Sequence, residues 1–404
     1  MRKKIGLIII CTIMVIFVSC SKKDSKSEES TKSKYPRITH ESINGGDNKP
    51  LFGDNILYTD SDGHLMYLDT EKGEKIIYCF DTECNHERGS ISEKPKCFAQ
   101  RHSSNTTILC DDYIYYFDSD SDNIFNSVLY RAQKDTSGQK KIADYQGKIN
   151  AYLIEESKLY VFTEASYRLE GEMITREDET TRRVYETDLE TGDSSLLFEY
   201  KYEYSEFQFF TLYQETIFLL FREFDISPEE MLDYVTELGD DYEKIKEYSN
   251  QHLEYKLFCI DTKSHEIKEI EKYKKMGFDG HGPVICSNYL FYSNEEKDGF
   301  ENHAVNLLTL QEYILETKEL IYWYDYDGQL IAEIYDRNRD NYNYYNVVRD
   351  SFEMTKIFSH DKTIGIEGFV GNYVYYFVNS TSDYYVVKYD EMISNDLSNA
   401  IILK

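Results

Sequence analysis

Basic residues are scarce in this sequence, and their scarcity limits what the chain can bind. It holds 45 lysine and arginine residues against 74 aspartate and glutamate residues, so its formal net charge is −29. A surface this acidic repels nucleic acid and anionic lipid headgroups, which argues against DNA and RNA as partners. The same charge balance permits cationic partners, metal ions or basic peptides.

Common catalytic motifs are missing as well. The sequence contains no G-x-S-x-G nucleophile elbow, no H-E-x-x-H pair, no P-loop and no G-x-G-x-x-G fingerprint. Carboxylates are so numerous that no single pair indicates glycosidase chemistry. The sequence therefore favours a binding role over catalysis and leaves enzymatic activity open.

One apolar run stands near the N-terminus, Ile5–Val18, directly after the basic residues 2–4. It is shorter than the ~20 residues that span a bilayer, but its length is typical of a signal peptide. The run ends in Phe17-Val18-Ser19-Cys20, which resembles the lipobox of bacterial lipoproteins, with Phe17 in place of the usual leucine. The resemblance implies that residues 1–19 are removed and that Cys20 is acylated, which anchors the protein to the outer side of the cell membrane. A plain signal peptide or signal anchor is the alternative.

Residues 20–50 are predicted to form the lipidated cysteine and a flexible tether. The stretch Ser21–Lys34 is built of serine, lysine and glutamate without apolar anchors, so it cannot offset the entropy cost of ordering. Loss of the three basic residues in 1–19 moves the net charge from −29 to −32.

Residues 51–404 are predicted to form an all-β domain. The chain has 38 tyrosines and 22 phenylalanines against 5 prolines, and aromatic residues suit a pleated, half-buried surface. Asn55–Asp69 reads as a hairpin, with alternating apolar residues on both sides of the turn 60–63. Similar units recur every ~40–60 residues with about four strands each, which predicts a β-propeller of seven blades, six or eight being the alternatives.

A small helical insertion is predicted near residues 227–250. Ser227 is a good N-cap, Pro228 suits the first helical position and Glu230 completes a capping box. Apolar residues then follow at helical spacing, and a second short helix is predicted over Tyr242–Tyr248. The insertion either serves as a lid or a partner-binding surface, or is a surface loop without a function of its own.

The repeats carry a family resemblance. Leu57-Tyr58-Thr59-Asp60 and the following Leu65-x-Tyr67-Leu68-Asp69 are similar to the YWTD repeat of low-density-lipoprotein-receptor propellers, and Trp323 keeps the tryptophan in a later copy. The whole chain resembles a family of uncharacterised Firmicutes lipoproteins with a propeller of this type. That resemblance implies a fold and a location but no activity.

The sharpest local cluster is Cys79, Cys84, His86 and Cys97, and such a loop also recurs in the resembled family. Three thiolates and an imidazole can form a closed tetrahedral zinc site. A disulfide between Cys97 and Cys79 or Cys84 is the alternative for an extracellular loop, and free thiols are a third. A zinc ion or a disulfide in this loop would have a structural role.

Three further cysteines, Cys110, Cys259 and Cys286, lie in apolar strand-like runs and are predicted to be small buried hydrophobic residues. The function that fits best is a non-catalytic surface lipoprotein whose propeller binds a protein, peptide or glycan at the cell envelope. An enzyme acting on an envelope or extracellular polymer at the channel mouth is the alternative, and a purely structural or assembly role is a third.

Overall fold

The computed structural model describes residues 51–403, except for these positions: 53–55, 61, 71, 87–96, 104–105, 111, 122, 171–172, 239–240, 271–282, 297, 327–328, 337–338, 350 and 371. Cys20, the predicted signal peptide and the predicted tether lie outside the described residues. Among the helices described, none combines the length and apolar character that crossing a membrane requires.

The described chain forms seven sheets, each of four antiparallel strands joined in sequence order. Blades 1 and 2 contain β1 (Leu51–Phe52), β2 (Ile56–Thr59), β3 (Leu65–Asp69), β4 (Glu74–Ile77), β5 (Thr107–Leu109), β6 (Tyr113–Ser119), β7 (Ser127–Gln133) and β8 (Lys140–Tyr145). Blades 3 and 4 contain β9 (Lys148–Glu155), β10 (Lys158–Glu170), β11 (Met173–Asp188), β12 (Ser194–Tyr202), β13 (Ser205–Tyr213), β14 (Thr216–Phe224), β15 (Leu253–Asp261) and β16 (Ile267–Glu269).

Blades 5 to 7 continue the same order. They contain β17 (Val284–Cys286), β18 (Tyr289–Glu296), β19 (Gly299–Asn306), β20 (Glu312–Ile314), β21 (Ile321–Tyr326), β22 (Gln329–Asp336), β23 (Asn341–Val347), β24 (Met354–Asp361), β25 (Ile364–Val370), β26 (Tyr373–Val378), β27 (Asp383–Lys388) and β28 (Ile401–Leu403). The helices are α1 (Phe98–Arg101), α2 (Pro228–Leu238), α3 (Tyr242–His252) and α4 (Tyr389–Ile393). The seven-bladed propeller predicted from the repeats is confirmed, and so is the helical insertion, which lies between β14 and β15.

The second strand of each blade shows why continuous apolar runs form this fold. In β14, Ile217, Leu219 and Phe221 pack into the interface with blade 3, whereas Phe218 and Leu220 pack into the interface with blade 5. Successive side chains of a strand point to opposite faces. A blade in the ring has a neighbour on both faces, so both sets must be apolar and the strand loses the polar alternation of a half-exposed sheet.

The ring closes by packing between blades 1 and 7. Ile56, Tyr58 and Leu68 of blade 1 form one buried cluster with Tyr375 and Val386 of blade 7. Among the described strands, no blade combines segments from the two ends of the chain. Apolar contact between side chains therefore holds this seam, not a shared sheet.

Blade 3 has an extended hairpin. Its strands β10 and β11 stay paired as far as Glu170 and Met173, with one irregularity between Ala165 and Tyr167. Backbone pairing thus extends this hairpin through a charged stretch that has no apolar alternation.

Candidate functional site

The strand order decides which connections share one end of the propeller. Each blade is a four-stranded antiparallel meander. The turn between its second and third strands therefore lies at the same end of the propeller as the links between successive blades. We call that end the loop face; it carries the connections 60–64, 78–106, 120–126 and 225–252. Contacts confirm the assignment in blades 1 and 7: His64 contacts the backbone of His86, and the side chain of Asn379 donates to the carbonyl oxygen of Lys362 (2.6 Å).

The loop face brings together Cys79, Cys84, His86 and Cys97, the four residues singled out from the sequence. One ligand atom from each lies within 4.8 Å of all the others. His86 Nδ1 and Cys97 Sγ are 3.5 Å apart. Cys79, Cys84 and Cys97 are free thiols, so the four side chains form a cluster of three sulfurs and one imidazole.

Local turns explain how the chain builds this cluster. The backbone N–H groups of Cys84 and Glu83 donate to the carbonyl oxygen and side chain of Asp81, which turns the chain back toward Cys79. His86 has a φ of 55°, an uncommon backbone conformation for a residue with a Cβ atom. Cys97 is buried at the start of α1, where its carbonyl oxygen accepts from the N–H of Arg101.

The donor chemistry of this cluster suits zinc. Burial, together with the neighbouring Cys84 and Cys79 thiols, raises the pKa of the Cys97 thiol to about 12, although the backbone N–H of Gln100 opposes the rise. Thiols packed this closely are best stabilised as thiolates by a bound cation. With Zn–S ~2.3 Å and Zn–N ~2.0 Å, the donor atoms of a tetrahedral site lie roughly 3.5–3.8 Å apart, which these four residues approach.

A second set of side chains surrounds the cluster. Gln100 Nε2 and His64 Nε2 both donate to the carbonyl oxygen of His86, at 2.5 and 3.0 Å. His64 Nδ1 lies 3.3 Å from Asp60 Oδ2, and Asp60 also accepts from the backbone N–H groups of Asp62 and His64. The aspartate-rich turn of blade 1 thus shows the hydrogen bonding that is common in tight turns, and it also supports the cysteine loop.

A pocket of about 330 Å³ opens at the inner strands of blades 4, 5 and 6. We call it the channel pocket; among its lining residues are Gln208, Phe209, Tyr292, Ser293, Tyr322 and Trp323. Trp323 stacks on Phe291 with the ring centroids 3.8 Å apart and the planes 15° from parallel. Tyr322 is 38% exposed. The pocket combines aromatic surfaces with the hydrogen-bonding groups of Gln208 and Ser293.

A second cavity of about 420 Å³ lies between the helical insertion and blade 4. We call it the insertion groove. Its lining is Tyr204, Glu206, Arg222, Phe224, Ile226, Ser227, Met231, Leu232, Val235, Ser249 and Leu253. The predicted capping box is present, since Ser227 Oγ accepts from the N–H of Glu230 (3.0 Å) and the Glu230 carboxylate accepts from the N–H of Ser227 (2.9 Å).

Two buried carboxyl groups were not recognised in the sequence. Glu333 accepts from the hydroxyl of Tyr324 (2.6 Å), and Glu223 accepts from the hydroxyl of Tyr200 (2.5 Å). Burial raises the pKa of both carboxyl groups, and the tyrosine hydrogen bonds oppose that rise. Both are buried among hydrogen-bonding neighbours, so their partners indicate a structural role. An acidic residue inside an apolar strand run, as in Ala332-Glu333-Ile334, is the signal that could have found them.

Blades 3 and 4 also share a buried guanidinium. Arg182 is 2% exposed; its Nη2 lies 2.7 Å from the Glu164 carboxylate and donates to the carbonyl oxygen of Ser205 (2.5 Å). Of the three other cysteines predicted to be buried, Cys110 and Cys286 are buried, whereas Cys259 is only partly buried. Burial raises the pKa of the Cys259 thiol to about 12.

Comparisons with known proteins add to the description of the fold. The β-propeller domain of the Trilobed protease from Pyrococcus furiosus is 11% identical, with a TM-score of 0.44 over 87% of this chain and 93% of that one. The tricorn protease is 10% identical, with a TM-score of 0.46 over 92% of this chain and 35% of that one. Oligogalacturonate lyase in complex with manganese is 12% identical, with a TM-score of 0.38 over 84% and 85% of the two chains.

No protein-family model and no curated protein matches this sequence, so the lipoprotein family and the YWTD-like repeat stay predictions. The solved structures are similar to this chain at a level that transfers no activity. The seven-bladed propeller itself rests on the seven sheets described above.

Proposed function

We propose that this protein is a lipid-anchored, extracytoplasmic binding protein whose loop face captures a protein, peptide or glycan partner without chemically changing it. Acylation of Cys20 would hold the propeller at the cell membrane through the tether of residues 20–50. The proposal rests on the position of three features at one end of the propeller. The channel pocket, the insertion groove and the cysteine cluster all belong to the loop-face half of the propeller.

The channel pocket has the chemistry of a recognition site. Trp323 and Tyr322 offer aromatic area, which can stack on a sugar ring or an apolar side chain at small entropy cost. Gln208 and Ser293 add a side-chain amide and a hydroxyl to the lining. Pockets that combine apolar walls with a few polar groups are typical ligand sites.

The cysteine cluster would hold a structural zinc ion. All four ligands would come from the protein, namely Cys79, Cys84, His86 and Cys97, which leaves no open coordination position for catalysis. A bound ion would also cross-link the long connection 78–106. The cluster lies on the hydrophobic core between blades 1 and 2, where Cys79 and Cys84 pack beside buried Cys97. Zinc would therefore fix this part of the loop face in place.

A capture experiment tests the binding proposal. Residues 35–404 are immobilised and offered an envelope extract, in parallel with Trp323→Ala and with a Glu190→Gln, Glu266→Gln control altered at the opposite end. We expect the parent domain and the control to retain the same protein or glycan, intact, and Trp323→Ala to retain much less. Equal retention by all three would place the ligand elsewhere, and cleavage of the retained material would establish the enzyme alternative.

A further inference from the structure

The insertion groove has an apolar floor. Phe224 and Leu253 come from blade 4, and Met231, Leu232 and Val235 come from the insertion. Leu232 is 65% exposed although it lines the cavity. A half-open cavity of about 420 Å³ has room for one or two large apolar side chains from a partner.

The insertion is held firmly enough to keep the groove open. Tyr234 of α2 stacks on Tyr248 of α3, with ring centroids 3.6 Å apart and planes 15° from parallel. His252 Nδ1 lies 2.6 Å from the Asp225 carboxylate, which ties the end of α3 to the end of β14. The groove is therefore a feature of packed elements and not of a loose loop.

Acidic side chains line the rim of this groove. Glu229 is exposed and precedes Leu232 on α2 by three positions, so the two side chains are neighbours on the helix surface. Tyr204, which lines the groove, is close to several of these carboxylates. A hydrogen bond to Glu203, burial, and the charges of Glu203, Glu229 and Glu230 together raise the pKa of Tyr204 to about 12. The local field at the groove thus favours a cation.

Arg222 is the cationic side chain among the lining residues, and it does not reverse this field. Its guanidinium forms an ion pair with Glu206, which also lines the groove, and lies 5.4 Å from the centre of the Phe224 ring. The pair compensates one charge of each sign and leaves the acidic character of the rim, to which Glu203 and Glu229 contribute, unchanged.

We propose that the insertion groove is a docking site for a basic peptide segment of a partner protein, which inserts an apolar side chain beside Leu232 and places lysine or arginine opposite Glu203 and Glu229. Amphipathic peptides bind apolar grooves in this way, and opposite charge at the rim sets orientation and partner choice. An acidic peptide would be repelled by the same rim. This site is separate from the channel pocket, so either can fail without the other.

Fluorescence anisotropy with three short labelled peptides tests the proposal. One places lysine and leucine at amphipathic helical spacing, one replaces leucine with serine at equal charge, and one replaces lysine with glutamate. We expect saturable binding of the lysine–leucine peptide, at least roughly tenfold weaker binding of the lysine–serine peptide because burial of its apolar side chain is lost, and no binding of the glutamate–leucine peptide.

Matched variants show whether the groove is the site. The Glu203→Gln, Glu229→Gln pair should weaken binding of the lysine–leucine peptide about tenfold at low salt, and exposed Leu232→Ser should weaken it about as much. The Glu190→Gln, Glu266→Gln pair removes the same charge at the opposite end and should change little. Equal weakening by both charge pairs, or equal affinity for the lysine–serine peptide, would overturn the proposal and indicate non-specific attraction to an acidic surface.

Discussion

His64 Nε2 donates to the carbonyl oxygen of His86 at 3.0 Å, and this contact joins the turn of blade 1 to the cysteine cluster. The two residues lie on separate connections of the loop face. His64 holds the backbone of a proposed zinc ligand, and Asp60 lies beside its other ring nitrogen. The position of His86 thus depends on the aspartate-rich turn as well as on its own loop.

This contact predicts that His64→Asn weakens zinc retention without removing a ligand. Groups that support metal ligands typically contribute 10–100-fold to affinity, and here the support reaches the backbone, so we expect a loss of about tenfold. Competition with a fluorescent chelator measures it. His265→Asn, at an exposed position with φ of 59° that suits asparagine, is the matched control. Equal zinc affinity in wild type and His64→Asn would contradict the assigned support.

Purified protein is expected to carry close to one zinc ion per chain, with Cys79, Cys84 and Cys97 unreactive toward a thiol reagent until a chelator is added. Metal removal should also make the connection 78–106 more sensitive to protease, because the zinc ligands hold it. Elemental analysis and peptide mapping check both expectations. Metal-free protein with a Cys97 disulfide to Cys79 or Cys84 would show that the disulfide alternative is correct.

Glu333→Gln is expected to change how stability depends on pH. Burial raises the pKa of the folded-state carboxyl above its ordinary value of 4.5, so the folded protein binds a proton that the unfolded chain releases. The resulting stability is fully present below pH 4.5 and is lost as the pH rises through the folded-state pKa.

Glutamine does not ionise, so Glu333→Gln does not lose stability in this way. The melting temperature of Glu333→Gln should therefore rise relative to that of wild type as the pH increases from about 4.5 toward 8. Thermal unfolding across this range measures the difference, with exposed Glu266→Gln as the control. A constant difference between Glu333→Gln and wild type at every pH would contradict a raised pKa at Glu333.

Two buried tyrosines should respond differently to loss of their hydroxyls. The Tyr145 hydroxyl lies 2.8 Å from Thr187 Oγ1, whereas the buried hydroxyl of Tyr58 has no hydrogen-bond partner among the described residues. Tyr145→Phe should lower the free energy of unfolding by about 1 kcal/mol, and Tyr58→Phe should be neutral or stabilising. Chemical denaturation compares them. A larger loss for Tyr58→Phe would show that its hydroxyl is bonded.

The fold was predictable because each blade is a local repeat. A strand run such as Ile56–Thr59, its turn and its return strand stand next to each other in the sequence, so the period reveals the blade. The cysteine cluster was found for the same reason, since its four residues lie within one connection. His64 was missed as a partner because its contact with His86 crosses from one connection to another.

The pockets were beyond prediction for a related reason. Phe209, Tyr292 and Trp323 meet in the channel pocket from three different blades, and no local pattern links them. Glu223 and Glu333 were hidden among many surface carboxylates, and only the packing of neighbouring blades makes them buried. Contacts between repeats, unlike the repeats themselves, depend on how the ring assembles.

The most direct test of ligand binding at the loop face uses Trp323, the single tryptophan of the chain, which lines the channel pocket. The fluorescence of Trp323 is recorded while purified envelope peptide or glycan fractions are added to residues 35–404. The mass of the ligand is measured by mass spectrometry before and after incubation with the protein. We expect a saturable change in Trp323 emission with a ligand of unchanged mass. A retained ligand that leaves the emission unchanged would contradict the site, and a shortened ligand would contradict the non-catalytic role.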